Sequence, residues 1–241
     1  MKEKLYTIPL NEAFEKDTEC PFCALYEELE KRALDYTMGP SYMEPDVRIN
    51  TNSNGFCKKH FKMMYFMKNR LGLSLMVASH MKEIISKYES YYSERFLNNK
   101  KGFLSKKNSH ENMIEKVGDS CFVCDKISGD MDKFFDTFIF MWRRDKAFRD
   151  KVLKSNGLCL EHFDKICELA YQKMSKNEFI DFWDKIYKKQ VDDLNRVKDD
   201  LEWFIQKFDF RFKDEPWKNS KDALRRSIIK MAAYDPEKNE N

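Results

Sequence analysis

One pattern of cysteine and histidine occurs twice in this chain of 241 residues. A C-x2-C pair begins at Cys20 and a C-x2-H pair begins at Cys57; the same two pairs begin again at Cys121 and Cys159. The C-x2-C pairs lie 101 residues apart and the C-x2-H pairs 102, so one inserted residue relates the two halves. We interpret this register as an internal duplication. The candidate metal ligands are Cys20, Cys23, Cys57, His60, Cys121, Cys124, Cys159 and His162.

Each half therefore offers three thiolates and one imidazole, a ligand set that is used for structural zinc. The turn within C-x2-C can bring two sulfurs to one ion, and C-x2-H on a helix presents both ligands on one face. Gly55 and Gly157 precede the C-x2-H pairs, where the backbone can approach closely, and the cysteine turns are placed at helix N-termini, which favour thiolate. We predict one closed Cys3His site in each half, hence two zinc ions per chain.

The cysteines have three alternative interpretations besides zinc binding. An odd count of 7 cysteines and the lack of a secretory signal argue against disulfides. A thioredoxin-like redox pair expects a βαβ context and leaves the C-x2-H pairs unexplained. An iron–sulfur centre such as [4Fe-4S], held by three cysteines and one histidine, stays open as an alternative because soft ligands suit both metals.

The scarcity of turn residues predicts an all-α fold. With only 7 Gly and 6 Pro, the chain lacks the frequent turns of a β-sandwich or barrel, and it has no glycine-rich phosphate loop. We predict two similar helical lobes, each built round a Cys3His site and packed with a pseudo-twofold. The predicted divisions are a first lobe at 1–97, a polar linker at 98–119, a second lobe at 120–209, and a C-terminal strap, amphipathic helix and charged tail at 210–241.

The spacing of apolar residues predicts individual helices within these lobes. It predicts a helix from the Cys20 turn to Met38, a loop at 50–55 before the C-x2-H pair, a short helix near 146–154 and a long helix from about 176 to 208.

The net charge and the hydropathy of the chain argue against some classes of binding partner. The 44 basic and 41 acidic residues give a net charge of +3, which is small for a nucleic-acid-binding protein. The N-terminal residues show no apolar signal region, and no apolar run approaches the roughly 18 residues of a membrane span. We expect a cytoplasmic protein without membrane insertion, and a lysine-rich run at 100–107 leaves nucleic-acid contact as an alternative.

Four residues outside the clusters are candidates for supporting roles. Arg48 and Arg149 match across the two halves, where they could stabilise the thiolates or form ordinary helix salt bridges. Arg211 and Trp217 lie in an aromatic and charged segment near the C-terminus. This segment is either a strap with Arg211 ion-paired, or a surface that recognises an acidic partner.

Two further residues are assigned to the core. His80 is expected to be a buried, hydrogen-bonded histidine, and Cys167 a buried free thiol.

The motifs CPFC with GFCKKHF, CFVC with GLCLEHF, and the late FDFRFKDEPW segment resemble an uncharacterised family of bacterial proteins. The likeness runs from Cys20 to about Met231, and it implies a metal-binding helical protein with no established activity. Because no acid–base or nucleophile constellation is found, we expect a non-enzymatic module that binds a protein or another macromolecule. A redox sensor or enzyme with iron–sulfur or zinc–thiolate centres is one alternative, and nucleic-acid binding is a second.

Overall fold

The computed structural model describes residues 2–92 and 120–238, and the predicted linker 98–119 with its lysine run lies outside them. The described residues form ten α-helices and no β-strand, which confirms the all-α prediction. None of these helices has both the length and the apolar composition needed to span a membrane. The helices are α1 (Lys2–Glu15), α2 (Pro21–Met38), α3 (Pro45–Asn54), α4 (Lys58–Phe66), α5 (Arg70–Tyr92), α6 (Phe122–Arg144), α7 (Lys146–Lys154), α8 (Leu160–Lys173), α9 (Lys176–Gln206) and α10 (Ala223–Ala232), with short 3-10 helices at Pro40–Met43 and Phe210–Phe212.

The helices follow the same order in the two halves of the sequence. A helix that begins at the C-x2-C pair (α2, α6) is followed by a short helix (α3, α7), a helix that begins at the C-x2-H pair (α4, α8) and a long helix (α5, α9). The internal duplication itself stays a prediction.

The chain nevertheless divides into two compact units that differ from the sequence halves. One unit, here called the split unit, comprises Met1–Glu27 and Met131–Asn241; the other, the central unit, comprises Glu28–Asp130. The chain passes from one unit to the other within α2 and again within α6.

Buried phenylalanines form the core of the split unit. The rings of Phe14, Phe22, Phe138 and Phe148 pack with centroids 5.4–5.8 Å apart. Several of these pairs meet edge to face, the geometry that the ring quadrupole favours. The core therefore joins α1, α2, α6 and α7 immediately beside the Cys20 turn.

A helix replaces the loop predicted at 50–55. Residues Pro45–Asn54 form α3, with Pro45 in its first turn, where its fixed φ suits a helix start. Val47 and Thr51 lie one turn apart and are buried, and α3 packs against α5. Tertiary burial thus overrides the weak helix propensity of a sequence rich in Asn, Ser and Thr. The predicted helices ending at Met38 and spanning 146–154 match α2 and α7, and the long helix ends at Gln206 rather than 208.

Candidate metal centres

All eight candidate ligands come together in two clusters. Within each cluster the four ligand atoms lie within 4.8 Å of one another. None of the cysteines in the described residues is in a disulfide. The first cluster, in the split unit, is Cys20, Cys23, Cys159 and His162, and the second cluster, in the central unit, is Cys57, His60, Cys121 and Cys124.

Each cluster takes its C-x2-C pair from one half of the sequence and its C-x2-H pair from the other half. The prediction that each half completes its own site was therefore wrong in its pairing. The reason is the course of the chain: the start of α2, to Glu27, belongs to the split unit with α8, whereas the start of α6, to Asp130, belongs to the central unit with α4.

All four ligand pairs begin at a helix N-terminus. Cys57 and Cys159 are the N-cap residues of α4 and α8. Cys20 and Cys121 directly precede α2 and α6. The second ligand of each pair follows three residues later, so both side chains face the same helix end. Two positive helix ends therefore meet at each cluster, which acts in favour of thiolate. The crowding of the sulfurs acts against it: contacts with Cys159 and Cys20 raise the pKa of Cys23, and burial together with Cys121 raises the pKa of Cys124.

Distances within the first cluster are close to the edges of a zinc tetrahedron. The sulfurs of Cys23 and Cys159 are 3.7 Å apart. The His162 Nδ1 atom lies 3.4, 3.5 and 3.0 Å from the sulfurs of Cys20, Cys23 and Cys159. Zinc bonds of 2.3 Å to sulfur and 2.0–2.1 Å to nitrogen require edges of about 3.8 Å between sulfurs and about 3.6 Å between sulfur and nitrogen.

The second cluster has the same dimensions. The sulfurs of Cys57 and Cys124 are 3.9 Å apart, and His60 Nδ1 lies 3.3, 3.2 and 3.4 Å from the sulfurs of Cys57, Cys121 and Cys124. Both donor sets are more compact than a zinc tetrahedron on their sulfur–nitrogen edges, by about 0.1–0.6 Å, so small shifts of the side chains would let each set surround one ion.

A carboxylate holds the histidine of the second cluster. His60 is fully buried, and its Nε2 lies 3.0 Å from the Glu30 carboxylate, which also accepts from Lys59 Nζ at 2.6 Å. This contact fixes the ring so that Nδ1 faces the sulfurs. Burial acts to lower the pKa of His60, but the Cys121 sulfur and Glu30 outweigh it and raise the pKa to about 9. The centre of the cluster thus favours positive charge.

Aromatic rings, rather than a carboxylate, surround the histidine of the first cluster. The position that matches Glu30 is Met131, and the His162 ring packs against Phe22 and Phe135 with centroids 5.6 and 5.8 Å apart. Burial acts to lower the pKa of His162, but the sulfurs of Cys159 and Cys20 raise it to about 10. This cluster also favours a cation, inside a more apolar setting.

A buried lysine joins the two ligand segments of the first cluster. Lys230 on α10 is only 1% exposed. Its ammonium donates to the carbonyls of Glu19 (2.7 Å), Asn156 and Leu158 (3.4 Å). Glu19 and Leu158 immediately precede the two ligand pairs. Sequence reasoning missed this residue, because lysine is almost never fully buried and its spacing from Glu19 and Leu158 in the sequence gives no sign of contact.

The ligand segments of the second cluster are joined directly. The Phe122 N–H donates to the Gly55 carbonyl at 3.0 Å, and the Ser120 hydroxyl donates to the Asn54 carbonyl at 2.8 Å. The Asn54 amide also donates to Asp125 at 3.0 Å. No lysine is needed here to bring the segments together.

The two predicted glycines adopt the left-handed backbone conformation before each C-x2-H pair, with φ of 59° at Gly55 and 84° at Gly157. A Cβ atom at Gly55 would overlap the His80 ring, and one at Gly157 would overlap the Asp193 carboxylate. His80 itself is buried, and its Nδ1 hydrogen-bonds the Asn52 carbonyl at 2.7 Å, which confirms its core assignment.

Replacing Gly157 by alanine is therefore expected to destabilise the protein. The positive φ costs a non-glycine residue about 1–2 kcal/mol, and the overlap with Asp193 about 1–3 kcal/mol more. Urea denaturation measures the loss. Gly129→Ala on α6 is the control, because a Cβ there meets nothing within 4 Å and alanine stabilises a helix by about 0.5–1 kcal/mol. If Gly157→Ala and Gly129→Ala had the same free energy of unfolding, the backbone at Gly157 would not require glycine.

Comparison with known proteins places the chain in a family. A model described as a family of unknown function, DUF6062, matches residues 1–238. The chain belongs to DUF6062. No curated protein and no solved structure matches it. The resemblance to an uncharacterised family is thus confirmed, and the two clusters of this DUF6062 member have to be interpreted from their own chemistry.

Arg48 and Arg149 of this DUF6062 chain make their hydrogen bonds away from the cysteines. Arg149 donates to the carbonyls of Trp142 (2.7 Å) and Arg143 (3.3 Å), which closes the end of α6. Arg48 donates to the Ser79 hydroxyl. The acceptors are a hydroxyl and two backbone carbonyls, so these contacts support neither the role beside the thiolates nor the helix salt bridge.

The C-terminal segment of the DUF6062 chain packs on the end of α9. Arg211 is ion-paired with Asp209 at 2.6 Å, as the strap interpretation expected. The Trp217 ring lies 5.9 Å from Phe204, and the Lys207 ammonium lies 5.3 Å from the Trp217 ring.

Cys167 of this chain is buried and free, as expected. Burial, together with the charge of Asp164, raises the pKa of its thiol to about 12. It is therefore an unreactive core thiol outside both clusters.

Proposed function

We propose that this DUF6062 protein is a zinc-binding helical protein that holds one zinc ion in each cluster. The observation that carries the proposal is that four donor atoms of the types that bind zinc converge within 4.8 Å in each cluster, with sulfur–sulfur distances of 3.7 and 3.9 Å that are close to the edge of a zinc tetrahedron. Three thiolates and one imidazole form a donor set that is well known for zinc.

The size of the donor set favours a single ion over an iron–sulfur cluster. In a [4Fe-4S] cluster each ligand binds a different iron, so its ligand atoms stand farther apart than those round one ion. Here all four atoms lie within 4.8 Å of one another. The compact geometry therefore supports zinc against the iron–sulfur alternative.

The role that we propose for both ions is structural. Four protein ligands leave no position for a water or a substrate, which is typical of structural rather than catalytic zinc. Each ion would fix two helix N-termini that come from distant parts of the sequence. Structural zinc is worth on the order of 10–16 kcal/mol, as much as the whole stability of a typical domain, about 5–15 kcal/mol.

With closed metal sites, we propose that the protein acts by binding another macromolecule, and we favour a protein partner. A turnover that disappears in a folded Cys57→Ser variant would contradict this non-enzymatic role.

Elemental analysis of anaerobically purified protein tests the metal proposal. We expect colourless protein with two zinc ions per chain. The Cys167→Ser variant is the matched control: it removes a buried cysteine that lies in neither cluster, so it should still bind two ions. Folded protein without metal, or brown protein with iron and sulfide, would contradict the proposal.

A further inference from the structure

The two clusters differ in how much of their sulfur is exposed. All ligands of the first cluster are buried, including Cys23 and Cys159. In the second cluster the residues at the matching positions, Cys124 and Cys57, are partly exposed. The exposed fractions of Cys23 and Cys159 are only 8% and 0%, so the second cluster is the more exposed of two clusters with the same donor set.

The surroundings of the two clusters differ in two further respects. Phe22 and Phe135 cover the ring of His162, and their matching positions carry the smaller Val123 and Leu34. The Lys230 ammonium additionally holds the backbone of both ligand segments.

The two partly exposed cysteines of the second cluster have neighbouring sulfur atoms. Cys57 and Cys124 Sγ lie 3.9 Å apart, and both belong to the central unit. The other two ligands, Cys121 and His60, are buried and have exposed fractions of 2% and 0%. An oxidant that arrives from solvent therefore meets Cys57 and Cys124 first, because susceptibility to oxidation follows the exposure of a thiolate.

We propose that Cys57 and Cys124 form an oxidation site: hydrogen peroxide converts them to a disulfide and the second cluster releases its metal ion, while the first cluster keeps its own. The release rests on the proposed function, whereas the disulfide can be tested without it.

The reaction balances with peroxide as the oxidant. One thiolate attacks a peroxide oxygen, the O–O bond breaks, and a sulfenic acid and one hydroxide form. The second thiolate then attacks the sulfenic sulfur, the S–S bond forms and a second hydroxide leaves. Two sulfurs thus give two electrons to one peroxide, and two protons convert the hydroxides to water. The metal ion is not oxidised, and it leaves because only Cys121 and His60 remain to hold it.

The test uses the purified, metal-loaded full chain. Hydrogen peroxide is added in the presence of a chromogenic zinc chelator, and the protein is then alkylated, digested and mapped by mass spectrometry. We expect one ion per chain to be released roughly tenfold faster than the second, since oxidation follows exposure. The fast phase should coincide with a Cys57–Cys124 disulfide, and a dithiol reductant should reverse it.

Two matched variants assign the fast phase. Cys159→Ser removes a ligand of the first cluster, so the remaining ion should be released fast and the disulfide should form. Cys57→Ser removes the corresponding ligand of the second cluster, so the remaining ion should be retained. Release of both ions at one rate, or a fast phase with a disulfide other than Cys57–Cys124, would overturn the proposal.

The same measurements distinguish failure of the metal proposal from failure of the oxidation site. Protein that contains no metal but forms the Cys57–Cys124 disulfide contradicts the proposed function and supports the oxidation site. Protein that holds two ions and forms no such disulfide overturns the oxidation site alone.

Discussion

A variant that lacks both Cys23 and Cys159 is expected to keep one tightly bound metal ion per chain, whereas a variant that lacks both Cys23 and Cys57 is expected to bind neither ion tightly, because each of its clusters keeps only three ligands. The first pair belongs to one cluster, with sulfurs 3.7 Å apart, so its loss leaves the second cluster complete. The second pair takes one ligand from each cluster. Each lost site removes on the order of 10–16 kcal/mol of binding free energy, so the variant without either site should also lose cooperative folding.

Native mass spectrometry of the two Cys→Ser double variants measures the outcome, together with their thermal denaturation. Both variants carry the same number and type of substitutions, so each serves as the control for the other. The pairing expected from the sequence halves predicts the reverse: Cys23 and Cys57 would then share one site, and their joint loss would leave one ion. That result would contradict the pairing across the halves.

The ligands could be predicted from the sequence because their spacing is a local property. A C-x2-C or C-x2-H pair places its two ligands on one helix end whatever the rest of the chain does. The position of Gly55 and Gly157 before each C-x2-H pair is also local, whereas the side chains that crowd them, His80 and Asp193, come from helices farther along the chain.

The pairing could not be predicted because the two halves offer chemically equivalent ligands. Either C-x2-C pair satisfies either C-x2-H pair, so the choice depends on contacts that the repeat does not share. Phe22 and Phe135 surround one histidine, and Glu30 holds the other. These positions carry different residues in the two halves, and spacing alone assigns them no role.

Elements with weak local signals were also missed. Helix α1 contains Pro9 and shows little amphipathic pattern, yet Leu10, Ala13 and Phe14 are buried against the split unit. Its formation depends on tertiary packing, which supplies most helix stability in proteins. The same holds for α3.

Replacing Lys230 by methionine is expected to lower the free energy of unfolding by about 1–3 kcal/mol, the usual cost of leaving a buried polar group without its partner. Methionine keeps most of the side-chain volume but loses the ammonium. The carbonyls of Glu19 and Asn156 then lack this donor, whereas the Glu19 carboxylate keeps Arg196 at 2.6 Å and the Leu158 carbonyl keeps the Gln190 amide at 3.0 Å.

The Lys238→Met variant is the matched control for Lys230→Met. Lys238 pairs with Glu27 at 2.7 Å on an exposed surface, where such a pair contributes about 0–1 kcal/mol. Guanidinium denaturation of both metal-loaded variants compares the two losses, and equal losses would contradict a special role for Lys230.

The metal content separates the local effect of Lys230 from a general loss of stability. Lys230 contacts the backbone that leads into Cys20 and Cys159, and its described contacts are all within the split unit. Release of metal to a chelator is therefore measured for Lys230→Met without denaturant, where the protein is folded. We expect the ion of the first cluster to leave faster than it does from the parent protein. The ion of the second cluster should leave at the same rate as in the parent. Acceleration at both clusters would mean that the lysine supports the fold as a whole and not the ligand segments that it joins.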